Sequence, residues 1–293
     1  MAKKAKVTAI FNNKGGILKS NLTANMAALY AQQGKKVLMI DMDSQANIPQ
    51  IFGLDADEFN PNNYNVLVEG EHPKRAIVNV FDEMKKEHGE IIEVPTVLKS
   101  VDILPSNDDM VMFEFDVLMN KAFHENYFKL LRGAVRELQG IYDYILIDSP
   151  PNMGIYAGNI LTAADSVLIP FHPETLSKRS LMKTLQAVDK FRVAYNPSLE
   201  IIGIAATKVK MNTKSHKKNL KEAYDYAESK GIHMFKSYIP ETIKGADAVD
   251  EECVPAVLSS VKFSKEMRGL KNAYQGLFEE ILALEKEGAK VHG

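Results

Sequence analysis

Cysteine occurs once, as Cys253, and tryptophan not at all. A single thiol excludes an intramolecular disulfide and rules against a cysteine-ligated metal cluster within one chain. The histidines are scattered without ligand spacing, so no purely protein-built metal site is expected. No apolar run approaches transmembrane length. The basic start, Met1 to Lys6, leads into an apolar run of about five residues, too short for a signal-peptide core; a cytoplasmic protein is expected. The sequence also lacks a Pro/Gly/Ser-rich linker and an internal repeat, so nothing in it divides two domains. A net charge of −2 gives no global pull on nucleic acid, and any such binding must come from a local patch.

What is present is a regular alternation. Val7 to Phe11 reads as a buried strand, and Asn21 to Gln33 as a helix with Leu22, Met26, Leu29 and Tyr30 at helical spacing. Val37 to Ile40, Tyr144 to Ile147, Val167 to Pro170 and Ile201 to Thr207 are continuous apolar runs typical of parallel strands covered on both faces. Helices are expected over 126–138, 176–195, 214–230 and 264–286. Residues 46–125 are less regular: the pattern predicts a helix over 76–86 and short strands at 91–94 and 101–104. Strands alternating with helices predict an α/β fold, a doubly wound, mainly parallel sheet flanked by helices.

The chemistry gathers at strand ends. Phe11 to Ser20, Phe-Asn-Asn-Lys-Gly-Gly-Ile-Leu-Lys-Ser, joins the first strand to the first helix. A glycine turn offers backbone N–H groups, and the helix N-terminus adds roughly half a positive charge. Lys19 can reach terminal phosphate oxygens, and the Ser20 hydroxyl can ligate Mg²⁺. Asp41 and Asp148 each end a buried strand, where α/β sheets bind ligands. One strand-end aspartate is often a helix cap; two, with a lysine–hydroxyl loop, point to Mg²⁺-assisted phosphoryl chemistry.

Lys14-Gly15-Gly16-x-x-Lys19-Ser20 resembles the deviant Walker A motif of the ParA/MinD superfamily of P-loop NTPases. Asp41-Met42-Asp43-Ser44-Gln45 is similar to its Asp-x-Asp-Pro-Gln motif, with Ser44 for proline, and Tyr142 to Pro151 to its Walker B. Ala163 to Pro170 followed by Pro173-Glu174, and Ile239-Pro240, resemble further segments of ParA/Soj-type partition proteins. The resemblance spans about Lys6 to Leu284 and implies a single P-loop ATPase domain over 1–293, with 46–125 as an edge elaboration and 262–287 as a C-terminal helix.

That resemblance implies roles. ATP and Mg²⁺ are the cofactors, cradled by Lys14, Gly15, Gly16, Ile17, Leu18, Lys19, Ser20 and Asn21. Lys19 contacts the β- and γ-phosphates, and Lys14 reaches across an ATP-dependent homodimer to the other subunit's phosphates. Ser20 and Asp148 hold the metal, Asp41 positions the attacking water, and Thr207, Lys208, Pro240 and Glu241 lie near the base. Leu18 departs from the motif, which has glycine there. If the position is left-handed, leucine costs about 1–2 kcal/mol, and ATP binding with slow hydrolysis is expected.

A basic stretch follows the fifth apolar run: Lys208, Lys210, Lys214, Lys217, Lys218 and Lys221. Such a run is often a solvated helix face. The resemblance implies non-specific DNA binding there, with Lys244, Arg268 and Lys271 as further candidates, and hence a nucleoid-associated protein released when a ParB-like partner stimulates hydrolysis. No helix-turn-helix precedes the first strand, so site-specific operator binding is not expected. MinD relatives end in a membrane-targeting helix, but Glu279, Glu280, Glu285 and Glu287 make this C-terminal helix acidic, so no membrane partner is expected. A membrane-cycling regulator, a metabolic P-loop enzyme and a hydrolysis-impaired ATP-binding scaffold are the competing readings.

Overall fold

The computed structural model describes residues 4–89, 91–123, 125–174, 177–260 and 264–291. Seven strands form one sheet: β1 (Lys6–Ile10), β2 (Val37–Asp41), β3 (Val78–Asn79), β4 (Val101–Leu104), β5 (Tyr144–Asp148), β6 (Ser166–Phe171) and β7 (Glu200–Ala206). Their order is β3-β4-β2-β5-β1-β6-β7. Every pairing is parallel except β3 with β4.

Alternation along the strands builds two cores. On β2, Leu38 and Ile40 pack on one face and Val37 and Met39 on the other; on β5, Ile145 and Ile147 oppose Leu146. Because both faces are covered, each strand reads as an unbroken apolar run. The helices are α1 (Lys19–Gln32), α2 (Asn47–Ile51), α3 (Pro73–Ala76), α4 (Val80–His88), α5 (Phe113–Met119), α6 (Leu130–Leu138), α7 (Ile155–Ala163), α8 (Ser177–Ala194), α9 (Lys214–Ser229), α10 (Lys244–Glu252) and α11 (Lys265–Val291). Helices α6 to α9 cover one face of the sheet, and α1, α4, α10 and α11 the other. This is the doubly wound arrangement expected.

Helix α11 spends its apolar stripe on the sheet. Met267, Leu270, Tyr274, Leu277, Phe278 and Ile281 are buried, and each side chain that size contributes roughly 1.5–3 kcal/mol by leaving water. That stripe is therefore already covered by the chain's own core. Residues 262 and 263, expected to begin this helix, and residue 176, expected to begin α8, lie outside the described residues.

The irregular region departs from expectation. The helix predicted over 76–86 is broken into α3, the edge strand β3 and α4. Asn79 ends β3 and caps α4, its side-chain oxygen accepting from the Asp82 amide at 3.3 Å. No strand forms at 91–94: Ile91 is 82% exposed, and the apolar letters there mark a turn. The predicted helix over 126–138 begins only at Leu130, after a run of turns.

Candidate nucleotide-binding site

The loop between β1 and α1 is held from both sides. The Asn12 amide donates to Pro170 O at 2.7 Å, and its carbonyl accepts from Lys14 N at 3.0 Å. Ser180 and Thr184 on α8 donate to Asn13 Oδ1 at 2.8 and 3.1 Å. From the end of β7, the Thr207 hydroxyl donates to Ile17 O at 3.0 Å and Lys208 Nζ to Gly16 O at 3.2 Å. The backbone is shaped by two left-handed residues, Gly16 at φ 68° and Leu18 at φ 64°, ψ 31°. A Cβ on Gly16 would meet nothing within 4 Å, so dihedral freedom, not space, calls for glycine there. Leu18 adopts the left-handed conformation without that freedom.

The N-terminus of α1 suits an anion. Its N-cap residue, Leu18, makes no side-chain cap, and the first turn carries no acidic residue. The initial amides and the positive end of the helix dipole are thus left to a ligand. Lys19 is buried, and its Nζ spans the loop to Lys14 O at 3.0 Å. Burial lowers the Lys19 ammonium from its usual range, opposed by the charges of Asp148 and Asp43.

Two strand-end carboxylates lie side by side because β2 and β5 pair with Asp41 opposite Asp148. Asp148 Oδ2 accepts from the Ser20 hydroxyl at 2.5 Å, and Oδ1 from Thr23 at 3.4 Å. Burial pushes both carboxyls above the ordinary range; the Ser20 hydrogen bond and the Lys19 charge pull Asp148 back down. One hydroxyl and one carboxylate are a donor set that fits Mg²⁺, an ion that keeps several waters and takes phosphate oxygens for the rest. No larger cluster of His, Cys, Asp and Glu that could hold a metal occurs among the described residues.

Asp41 sits differently from the role expected of it. It is fully buried, with Oδ1 accepting from Asp43 N at 2.9 Å and Oδ2 from Ile48 N at 3.1 Å. Both oxygens are committed to the turn after β2, so they are turned away from solvent. Of the two aspartates it is Asp43, two residues on, that lines the cleft. The sequence carried the signal, since both acids stand in the Asp-x-Asp motif, but only the fold separates Asp41, paired opposite Asp148 and buried, from half-buried Asp43 just past the strand.

The cleft measures ≈ 1100 Å³. Gly15 to Asn21 form one wall, Pro150, Pro151 and Asn152 another, and Lys208, Pro240 and Glu241 a third. The wall also uses Thr242, Ile243, Gly245 and Val249, from α10 and its approach, a helix the sequence reading did not foresee. Thr207, expected near a base, is fully buried and serves the loop carbonyl instead. Lys14 does not line the cleft; its Nζ pairs with Glu174 Oε2 at 2.6 Å.

The basic residues divide into two groups. Lys214, Lys217, Lys218 and Lys221 share one exposed face of α9, opposite buried His216, Ala223 and Ala227. Among the described residues, Lys218 alone of these four forms an ion pair, with Glu222 at 3.9 Å. The others proposed for the same surface are tied up: Lys210 pairs with Glu241 at 2.5 Å, Lys244 with Asp247 at 2.6 Å, and Lys271 donates to Ser259 O. Arg268 is exposed on α11.

A parallel sheet with a lysine–hydroxyl loop at the N-terminus of its first helix defines a P-loop nucleotide-binding protein. Residues 5–201 match the family model described as an AAA domain. The chain is 27% identical over 280 residues to the ParA family protein of Mycoplasma genitalium, covering 95% of this chain and 97% of that one. It is 28% identical over 284 residues to the chromosome partitioning protein ParA of Caulobacter vibrioides, covering 96% of each. Among solved structures, cobyrinic acid a,c-diamide synthase from Mycobacterium smegmatis with an ATP analogue and magnesium superposes at TM-score 0.76 and 26% identity, covering 97% of this chain and 96% of that one. A putative plasmid partition protein from Borrelia burgdorferi bound to AMPPNP superposes at TM-score 0.72 and 25% identity, covering 96% and 99%. The chain belongs to the AAA-domain family, and within it to the ParA type.

Proposed function

We propose that this chain is an ATP-driven switch for partitioning plasmid or chromosomal DNA. The observation that carries it is the pair of lysines around Gly15-Gly16: Lys19 lies buried inside the loop, while Lys14 points out of its own cleft to Glu174. A lysine that does not line its own site can exchange Glu174 for the phosphates of another. ATP with Mg²⁺ is the ligand, as in the related structures that hold ATP analogues.

Ser20 and Asp148 would hold Mg²⁺, which neutralises phosphate charge when bound. The amides of the loop and of the first turn of α1 orient the phosphates, and Lys19 shares their charge. Asp43, at the cleft wall, positions the attacking water, while Asp41 holds the turn that presents Asp43. Lys14 from a second copy supplies charge to the transition state, so hydrolysis requires two subunits. The ATP dimer binds DNA without sequence preference through the α9 lysines, on the nucleoid, and a ParB-like partner stimulates hydrolysis and release.

Sedimentation with ATP, ADP and no nucleotide, alongside phosphate release, tests this. ATP alone should produce the dimer, and Lys14→Ala should keep ATP but lose turnover. A monomer under all three conditions with full turnover would remove the two-subunit mechanism.

A further inference from the structure

Tyr274 stands in the apolar stripe of α11. It is 3% exposed and lines the cleft, yet its hydroxyl makes no hydrogen bond among the described residues. The other two buried polar side chains of the cleft wall are engaged, Lys19 with Lys14 O and Tyr156 with Met110 O. A buried phenol usually finds a partner, because an unmade hydrogen bond costs stability. One left unpaired in a cleft wall points to a ligand group that satisfies it. Burial raises the Tyr274 hydroxyl well above its usual range, so it stays neutral and can both donate and accept.

The surroundings of Tyr274 are apolar. Ile51, Val249 and Leu270 line the cleft and belong to the same hydrophobic cluster, and Leu18 of the phosphate loop packs against it. The cleft's ≈ 1100 Å³ exceeds the roughly 300–1,000 Å³ of an ordinary ligand pocket, so phosphates held at Gly15 to Ser20 leave this side to the rest of the ligand. The side chains expected beside a base are already engaged. Thr207 donates to Ile17 O, Lys208 to Gly16 O, and Glu241 pairs with Lys210; Pro240 has no polar side chain. Apolar walls with one phenolic hydroxyl suit a flat, neutral, nitrogen-containing ring, and disfavour a charged group that would lose its water there.

We propose that the base of the bound nucleotide lies on this apolar side of the cleft and that the Tyr274 hydroxyl is the side-chain group that hydrogen-bonds it. Tyr274 is then a specificity-determining residue, since a buried hydroxyl penalises any ligand that leaves it unpaired. The inference rests on the ATP-binding part of the reading above. It requires neither hydrolysis nor a second subunit nor DNA.

The test is calorimetric titration of the full chain, wild type and Tyr274→Phe, with ATP·Mg²⁺ and with the Mg²⁺ complex of inorganic tripolyphosphate, which has no base. A thermal melt without ligand accompanies it. Tyr274→Phe keeps the ring and removes only the unpaired oxygen, so the ligand-free Tm should not fall. ATP affinity should drop about three- to tenfold, the loss of one neutral hydrogen bond, and tripolyphosphate affinity should not change. Unchanged ATP affinity would overturn the proposal. So would an equal loss for tripolyphosphate, which would place the effect on the phosphate loop. A ligand-free Tm lower by several degrees would also overturn it, because the hydroxyl would then serve the fold. Wild type that binds ATP no better than tripolyphosphate sinks the base site and leaves the phosphate loop standing. The selective ATP loss with no phosphate release from wild type keeps the base site and sinks the ATPase reading; binding of neither ligand overturns both.

Discussion

Lys14 Nζ lies 2.6 Å from Glu174 Oε2, joining the loop after β1 to the segment after β6. The Lys14 hydrogen bond holds the Glu174 carboxyl below its usual range. The contact is half-exposed and contributes little to stability. Its importance is positional, because a lysine paired in its own subunit must leave that partner to act in another. Glu174→Gln is expected to raise ATP turnover a few-fold without changing Tm, whereas Lys14→Ala should lower it by about 10²–10³, the usual scale for one charge-stabilising donor. Phosphate release at saturating ATP checks both.

Asp41 and Asp43 are expected to separate cleanly. Asp41→Ala removes the acceptor for two backbone amides in a buried turn, each costing about 1–3 kcal/mol when left unsatisfied. It should lower Tm by several degrees. Asp43→Ala should leave Tm unchanged, keep ATP bound and accumulate the dimer. Thermal melts and nucleotide content after gel filtration distinguish them.

Leu18 already holds the left-handed dihedrals, φ 64° and ψ 31°, that glycine adopts without strain. The amide it offers is therefore oriented as in a glycine loop, and the cost of leucine falls on stability. Replacing it with glycine relieves about 1–2 kcal/mol of left-handed strain. Against this stand the ~0.5–1 kcal/mol entropic penalty of glycine and the loss of a partly buried side chain. Leu18→Gly is expected to shift Tm by only a few degrees and to change ATP affinity less than about threefold, close to 0.6 kcal/mol. Calorimetric titration and a thermal melt measure the two effects.

The acid pair fixes the sign of a pH effect. Burial raises Asp41 and Asp148, the latter to about 7. The folded state therefore binds more protons than the unfolded chain between the ordinary carboxylate range and about 7, so stability falls as pH rises through that window. Mg²⁺ needs Asp148 ionised, so its binding releases a proton and strengthens with pH. Without Mg²⁺, Tm should be higher at pH 6 than at pH 8; with Mg²⁺ and nucleotide, the affinity should be higher at pH 8. Melts and titrations at both values check the opposite slopes.

Most of this was legible in the sequence where burial is two-sided. The central strands read as apolar runs, and the loop from Lys14 to Ser20 falls where the strand-to-helix turn required it. The edge was not legible. β3 is two residues long, and its pattern merges with the helix that follows. Ile91, apolar in letter, is solvated in place. The cleft's third wall depends on α10, whose sequence Lys244 to Glu252 is mostly polar. The burial of Asp41 depends on its pairing opposite Asp148, and so on contacts with residues a hundred positions away. The partners that occupy Lys210, Lys244 and Lys271 are likewise set by tertiary packing.

The central claim is an ATP-gated DNA switch, and binding of the full chain to unrelated DNA duplexes tests it most directly. The measurement compares ATP·Mg²⁺, ADP·Mg²⁺ and no nucleotide at two salt concentrations. Binding is expected with ATP alone, equally for all sequences, and falling steeply with salt. Lys214→Ala with Lys217→Ala should lower the salt slope by about 2, and Lys244→Ala should leave it unchanged. Binding that ignores nucleotide, or none under any condition, would contradict the account.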